Sequence, residues 1–488
     1  MSIYDMDNLE ANYSLLSPDL STKDTSTQTA PYQLPNIQGV ILGFIVFLSI
    51  CLRLRSLINE EQKIVGLRSL KAFVDYYRSL YYFLRQKGSL EDCPYFKDSI
   101  QAQCHIYSLS LIFFLWDKPH YRSGTFQNDM LKNLRNVAVP GTGMPLSVFA
   151  SSKLLAYWMI LVGYPIISII SAVYASNRDF VEFCRTFRIQ LVQPQDWFSF
   201  WRLNCRLATS HAYMTNNKWK NEYDVEDKWT FLIESEKKDI NVTPFMKVEG
   251  VVCKHRNEEG GLGYQSFSNA SVGGDWIIQE RLNNGPFLKK LLPEDAPLST
   301  FRIISSSRGG LSDEKEVDID DITALSCVWR AGRSKALTDH SAIMFNVNPN
   351  TGEIKKGTTN SHWYQLGVDK VVSTPWLSEH NVTHHPDTGV PITGVVIPNM
   401  KEMMDFVRKA HLRLIPHVPL CGWDVAFTEN HGVLLLEGNL SCNFFRGDFD
   451  QEKYFKFVKD YFITLDPNSK ERKSQATYEK IVKLQKCF

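Results

Sequence analysis

The stretch from Cys421 to Asn443, CGWDVAFTENHGVLLLEGNLSCN, leaves the chain the fewest choices. Trp423 to Phe427 is one β-type run, Thr428 to Gly432 is rich in turn formers, and Val433 to Leu436 is a second apolar run. That order predicts a hairpin. Side chains alternate along a strand, so Glu437 and Asn439 face the same way, and the returning strand brings Asp424 alongside them. Two carboxylates and an amide oxygen then converge. Hard oxygen ligands of this kind suit Mg²⁺, which keeps waters and takes its other ligands from substrate phosphates. The alternative is a hairpin carrying three solvated polar residues; against it stands an apolar run that leads directly into an acid.

Composition bounds the rest. With 488 residues, 44% of them hydrophobic and 12% aromatic, the chain has material for several packed domains and only local disorder. Lys and Arg number 54 against 53 Asp and Glu, so no overall field recommends nucleic acid as a partner. The ten cysteines are scattered without CxxC pairs or His-Cys clusters, which suits a reducing compartment better than a disulfide scaffold or zinc site.

Taken from the start, residues 1–36 read as a flexible tail and residues 37–52, IQGVILGFIVFLSICL, as a membrane anchor. This uncharged run reaches about 24 Å as a helix, a little short of the hydrocarbon core, and Arg53 and Arg55 extend it by snorkelling. A buried helix is the alternative. Residues 53–215 form a mainly helical, membrane-proximal region. Within it Ile106 to Trp116 is too short to span and is assigned to the core, whereas Leu154 to Ala175 is uncharged, long enough to span and interrupted by Pro165. Basic residues between Arg53 and Lys153 favour the cytosolic side, and a second crossing would expel everything downstream. We therefore read a single-pass anchor with Leu154 to Ala175 buried or lying in the membrane interface; two crossings are the alternative. Asp196 is placed as the cap of an aromatic helix that docks this region on the next.

Residues 216–463 carry the chemistry, and 464–488 form a charged C-terminal tail. Val251 to Lys254 reads as a strand ending on a lysine, followed by the glycine loop Asn257 to Gly263. Backbone amides approach a phosphate closely where side chains are missing, although an ordinary hairpin loop has the same look. Asp275 to Glu280 is a further strand. Leu298 to Ile304 is another, with Arg302 inside it; a buried arginine needs a partner, and a bound phosphate would be one.

In this order and spacing, Glu226-Asp227-Lys228-Trp229, the Val-Val-Cys-Lys strand with its glycines, Trp276 to Glu280, Ser299 to Ile303, Asp339-His340, Asn348 to Ile354, His384 to Gly389, Val395 to Pro398, Gly422 to Ala426 and Leu434 to Asn439 resemble the ATP-grasp superfamily. Within it they resemble the sugar-transfer-associated family related to glutamate ligases, over Asp196 to Asp448. The resemblance implies an α+β ATP-grasp fold whose two subdomains clamp ATP. It implies that Lys228 and Lys254 hold phosphates under a loop of Gly260, Gly261 and Gly263, with Gln279 and Glu280 at the adenine hinge. Asp424, Glu437 and Asn439 would hold Mg²⁺, and Arg302 would face the transferred phosphoryl group as the catalytic cation. The implied reaction is ATP-dependent joining of a carboxylate to an amine through an acyl phosphate, with sugar or polysaccharide modification as the implied setting, in a membrane-held domain facing the cytosol.

The chain departs from the pattern at three places. Gly422 stands where such ligases often carry an arginine, Asp339-His340 where an Asp-Asn pair is usual, and Lys247 competes with Lys254 for the ATP. A non-catalytic nucleotide binder and a kinase acting on a hydroxyl remain the alternatives. His384 and His385 are open to a substrate or base role or to a purely structural one.

Overall fold

The computed structural model describes residues 59–85, 88–122, 124–135, 146–194, 206–254, 256–257, 264–311, 316–359, 382–440 and 450–466. The sequence assignments of tail, anchor, Asp196 helix, glycine loop and most of the charged C-terminal tail lie outside them.

The helical region begins at α1 (Glu60–Leu84), whose first turn is closed by a reciprocal capping box between Asn59 and Gln62. Beside it lie α2 (Ile100–Leu115), α3 (Phe126–Leu134), α4 (Lys153–Trp158), α5 (Tyr164–Ala175), α6 (Phe180–Val192) and α7 (Arg206–Thr215). Nearly every residue of α2 is buried, as the apolar run Ile106 to Trp116 predicts. Between α4 and α5 the helix does not break. Pro165 lacks an N–H, and the turn Met159–Gly163 widens to a π-helix in which the Tyr164 N–H reaches the Met159 carbonyl. The expected interruption is thus a bulge within one long helix.

Downstream, α8 (Lys228–Lys237), α9 (Met400–Leu414) and α10 (Gln451–Leu465) accompany two sheets. Strands β1 (Gly250–Cys253) and β2 (Gln265–Ser268) make an antiparallel pair. Strands β3 (Thr300–Ser307), β4 (Ile322–Ala331), β5 (Ile343–Val347), β6 (Ile354–Thr359), β7 (Leu420–Thr428) and β8 (Gly432–Asn439) form an antiparallel sheet in the order β6-β5-β4-β3-β7-β8. The architecture is mixed helix and sheet.

Two cores explain how the parts hold. Phe301, Ile303, Trp329, Phe345 and Trp423 fill one side of the large sheet with Met403 and Val407 of α9. Ile304 and Leu420 point instead into the helical core, where α10 also packs and Tyr107 meets Phe462 at 4.9 Å between ring centroids. So α10 follows the sheet in sequence but belongs to the helical core. The helical region thereby covers one end of a sheet face and leaves the rest of that face open.

Beneath the sheet, the Trp423 indole donates to Ser305 Oγ at 2.7 Å, and Ser305 lies 2.6 Å from His411 Nδ1. Burial pushes the His411 imidazole down to about 4. The unfolded chain therefore binds a proton that the folded one refuses between about 6.5 and 4, so stability falls as pH falls through that window and levels below it. The expected loss is about 3 kcal/mol from His411 alone. Urea unfolding at a series of pH values, compared with His411→Gln, checks this; an equal slope in both proteins removes His411 as the cause.

Candidate active site

Four strands place the polar face. Arg302 of β3 lies directly across from Asp424 of β7 and grips it with two hydrogen bonds, Nε to Oδ1 at 2.5 Å and Nη2 to Oδ2 at 3.0 Å. Arg330 of β4 adds Nη2 to Asp424 Oδ2 at 2.9 Å, while its Nε lies 3.2 Å from Asp339. Asp339 in turn accepts from Thr300 Oγ1 at 2.5 Å. Burial alone would raise the Asp424 carboxyl, but Arg302 and Arg330 outweigh it and hold the group below its ordinary value.

Glu437 reaches this face because of an irregularity in the hairpin. From the turn, Thr428 pairs with Gly432 and Val425 with Leu435, a register that would set Asp424 opposite Leu436. A bulge between Asp424 and Val425 moves the pairing by one residue, so Asp424 faces Glu437. A one-residue slip turns every later side chain to the other face, and this one brings the two carboxylates together. Gly432 takes φ +66° in the turn, and a Cβ on Gly438 would stand 3.1 Å from the Trp423 ring. Asn439 Nδ2 donates to Glu437 Oε1 at 3.1 Å, and Glu437 Oε2 lies 3.1 Å from Lys228 Nζ.

These groups open on a cavity of about 1250 Å³ lined by Lys228, Gln279, Glu280, Arg302, Arg330, Asp339, Asp424 and Glu437, with Ile277, Leu292, Leu298 and Leu436 as apolar wall. Phe245 bridges to Gln279, and the bonds Met246 N–H to Ile278 O and Glu280 N–H to Pro244 O use the neighbours of Gln279. Strand alternation turns the N–H and C=O of Gln279 the other way. Glu280 receives His431 Nε2 at 3.0 Å. Lys228 opens α8 next to its cap, Asp227, whose carboxylate accepts from Thr230 N at 2.8 Å.

Lys254, by contrast, is exposed just beyond β1 and lines neither this cavity nor its neighbour; Lys247 is paired with Glu236 at 2.5 Å. Gly260, Gly261 and Gly263 lie outside the described residues. His385 is buried, with Nε2 3.0 Å from Gly332 O and Nδ1 accepting from the Asp387 N–H, and burial lowers its basicity. Asp387 is clamped by Arg333, which with the Ser334 N–H holds its carboxyl down to about 2. His385 therefore pins a loop, which is the structural one of its two readings.

A second cavity of about 700 Å³ shares Lys228 and Glu437 with the first and is walled by Tyr121, Arg122, Tyr223, Glu226 and Asn439. Arg122 pairs with Glu226, whose other oxygen accepts from the Leu440 N–H at 2.7 Å, immediately after Asn439. The helical region thus holds the end of β8. Arg330 and Arg122 are absent from the sequence assignment, and Glu226 enters it only as the first residue of a motif, with no site role. For Arg330 the signal was present, a charge inside an apolar strand, the same argument that singles out Arg302.

Among the described residues no group of three or more His, Cys, Asp or Glu side chains is arranged to hold a metal. Asp424, Glu437 and the Asn439 amide oxygen nonetheless match the hard oxygen donors that Mg²⁺ takes, with phosphate oxygens and water completing its shell. The donor set fits on those terms. No curated protein matches the chain. Residues 240–445 match the family model described as sugar-transfer associated ATP-grasp.

Proposed function

We propose, from this ATP-grasp family match over residues 240–445, that the protein is an ATP- and Mg²⁺-dependent ligase joining a carboxylate to an amine. The observation that carries the reading is the Arg302–Asp424–Arg330 cluster facing Glu437 and Lys228 on one cavity wall. In the reaction, a carboxylate oxygen attacks the terminal phosphorus of ATP and ADP leaves. The amine nitrogen then attacks the acyl carbon, loses its proton and expels phosphate. Bound Mg²⁺ would neutralise phosphate oxygens, held by Asp424, Glu437 and Asn439. Arg302 and Arg330 supply fixed positive charge where an acyl phosphate forms, in a chain that carries no cation at Gly422. Gln279 and Glu280 take the adenine edge and the apolar wall its faces.

Hydroxylamine trapping under turnover with amino acids and sugar acids tests the chemistry. An acyl hydroxamate with ADP release is expected; phosphorylated product without hydroxamate would make it a kinase, and no ADP release a binding protein. Lys228 bears on affinity. Its pair with Glu437 is largely exposed and contributes under about 1 kcal/mol to the fold. Lys228→Ala should keep its melting temperature yet raise the KM for ATP about tenfold, the loss of one charge-assisted phosphate contact. An unchanged KM removes Lys228 from the site.

The same reading places the domain in the cytosol, where ATP is supplied. Asn269 lies in a glycosylation sequon, but its buried Nδ2 donates to Met246 O at 2.8 Å and Val248 O at 2.7 Å. A glycan on that nitrogen would displace both bonds. On sealed membranes the domain after Arg53 should be digested by added protease without detergent. Protection, or sugar on Asn269, reverses the orientation.

A further inference from the structure

One helix among the described residues, Lys153–Val173, is long and apolar enough to cross a membrane, with mean hydropathy 1.9. Its exposed side chains are not scattered. Leu154 (69% exposed), Trp158, Ile166, Ile170 and Val173 (55%) follow one another at multiples of helical spacing and form one stripe, with Leu155, less exposed at 36%, at its edge. The other side is occupied by protein: Ala156, Ile160 and Ala172 are buried, Tyr76 donates to Ile160 O at 2.9 Å, and Tyr77 donates to Leu161 O at 2.8 Å. Since Gly66 lies against Phe180, just past the end of α5, α1 runs antiparallel to this helix, and its exposed Ile64 and Leu67 stand at the Val173 end.

We propose that this helix lies on its side in the interface of a lipid bilayer, its stripe among the acyl chains and its back on α1 and α6. A crossing is disfavoured by the neighbours. Helix α6 packs along α5 and carries Glu182, Arg185 and Arg188, and α1 carries Lys71, Asp75 and Arg78 around the tyrosines that bind the π-turn. A spanning α5 would take those charges into hydrocarbon. In the plane of the interface they stay in water, and exposed Arg68, Lys71, Arg78 and Arg185 suit anionic headgroups. Lipid is favoured over protein as the occupant by connectivity. The uncharged run Ile37 to Leu52 precedes α1 by a few residues, so a chain anchored by that run has its helical region tethered to the bilayer surface.

The test reconstitutes the full chain in phosphatidylcholine vesicles containing phosphatidylserine and exposes it to a lipid-phase carbene probe, with labelled residues found by mass spectrometry. Label is expected on Leu154, Trp158, Ile166, Ile170 and Val173, and not on Ala156, Ile160 or Ala172. Label also on Arg185 and Arg188 of α6 or on Lys71 and Arg78 of α1 means that the helix crosses. An unlabelled stripe beside a labelled Ile37 to Leu52 means that protein covers it, either a second copy or another segment of the chain. Ile166→Glu combined with Ile170→Glu should lose the label at Trp158 and Val173 while circular dichroism is unchanged. Retained label overturns the proposal.

Discussion

Glu437→Gln lowers Mg-ATP turnover by about 10²-fold or more while the protein still folds, because the substitution keeps shape and removes one charge from a preorganised site. The fold has little at stake there. Glu437 is part-exposed, Lys228 more so, and the glutamine keeps an oxygen for the Asn439 amide. The chemistry has much more at stake, because Glu437 lines both cavities and stands across from Asp424. Initial rates of ADP release, with urea unfolding as the control, decide it. Activity within twofold of the parent, at an unchanged midpoint, removes Glu437 from the metal set.

Why the hairpin was legible and its surroundings less so follows from range. The turn formers between Phe427 and Val433 fix where the chain reverses, so the nearness of Asp424 to Glu437 is encoded within a short segment. The bulge that puts both on one face is not encoded there; strict alternation from the turn would send Glu437 to the opposite side. It is set by packing, with Trp423 wedged against Gly438 and tied to Ser305. A charge on an apolar strand, such as Arg302, stands out in the sequence by itself. Its sharing of Asp424 with Arg330 is a property of strand order β4-β3-β7, which spacing does not reveal. The Arg122–Glu226 pair is further out of reach, since it joins a loop of the helical region to the residue before the Asp227 cap.

Asp424→Asn is expected to cost about 3–5 kcal/mol of stability at neutral pH, a larger effect than any surface pair offers. The reason is the arrangement. Asp424 is buried with both oxygens engaged by guanidinium groups, and the amide takes away the negative charge that Arg302 and Arg330 both grip. The sign of the pH dependence follows. The folded carboxyl is held below its unfolded value of 3.8, so its contribution is complete above that pH and is lost as pH falls through the folded value. The gap between parent and variant in urea midpoints should therefore be constant from neutrality to about 5 and close below 3.8. A double substitution sharpens the point. Arg302→Met with Asp424→Leu removes an opposed pair together, and it should cost less than the two single changes summed, because Arg302 and Asp424 no longer strand each other, while Arg330 loses Asp424 equally in the single and the double change. Additive costs, or an Asp424→Asn protein as stable as the parent, mean that the cluster is not the structural keystone of this face, and the site must then be held by the α10 and Glu226 contacts instead.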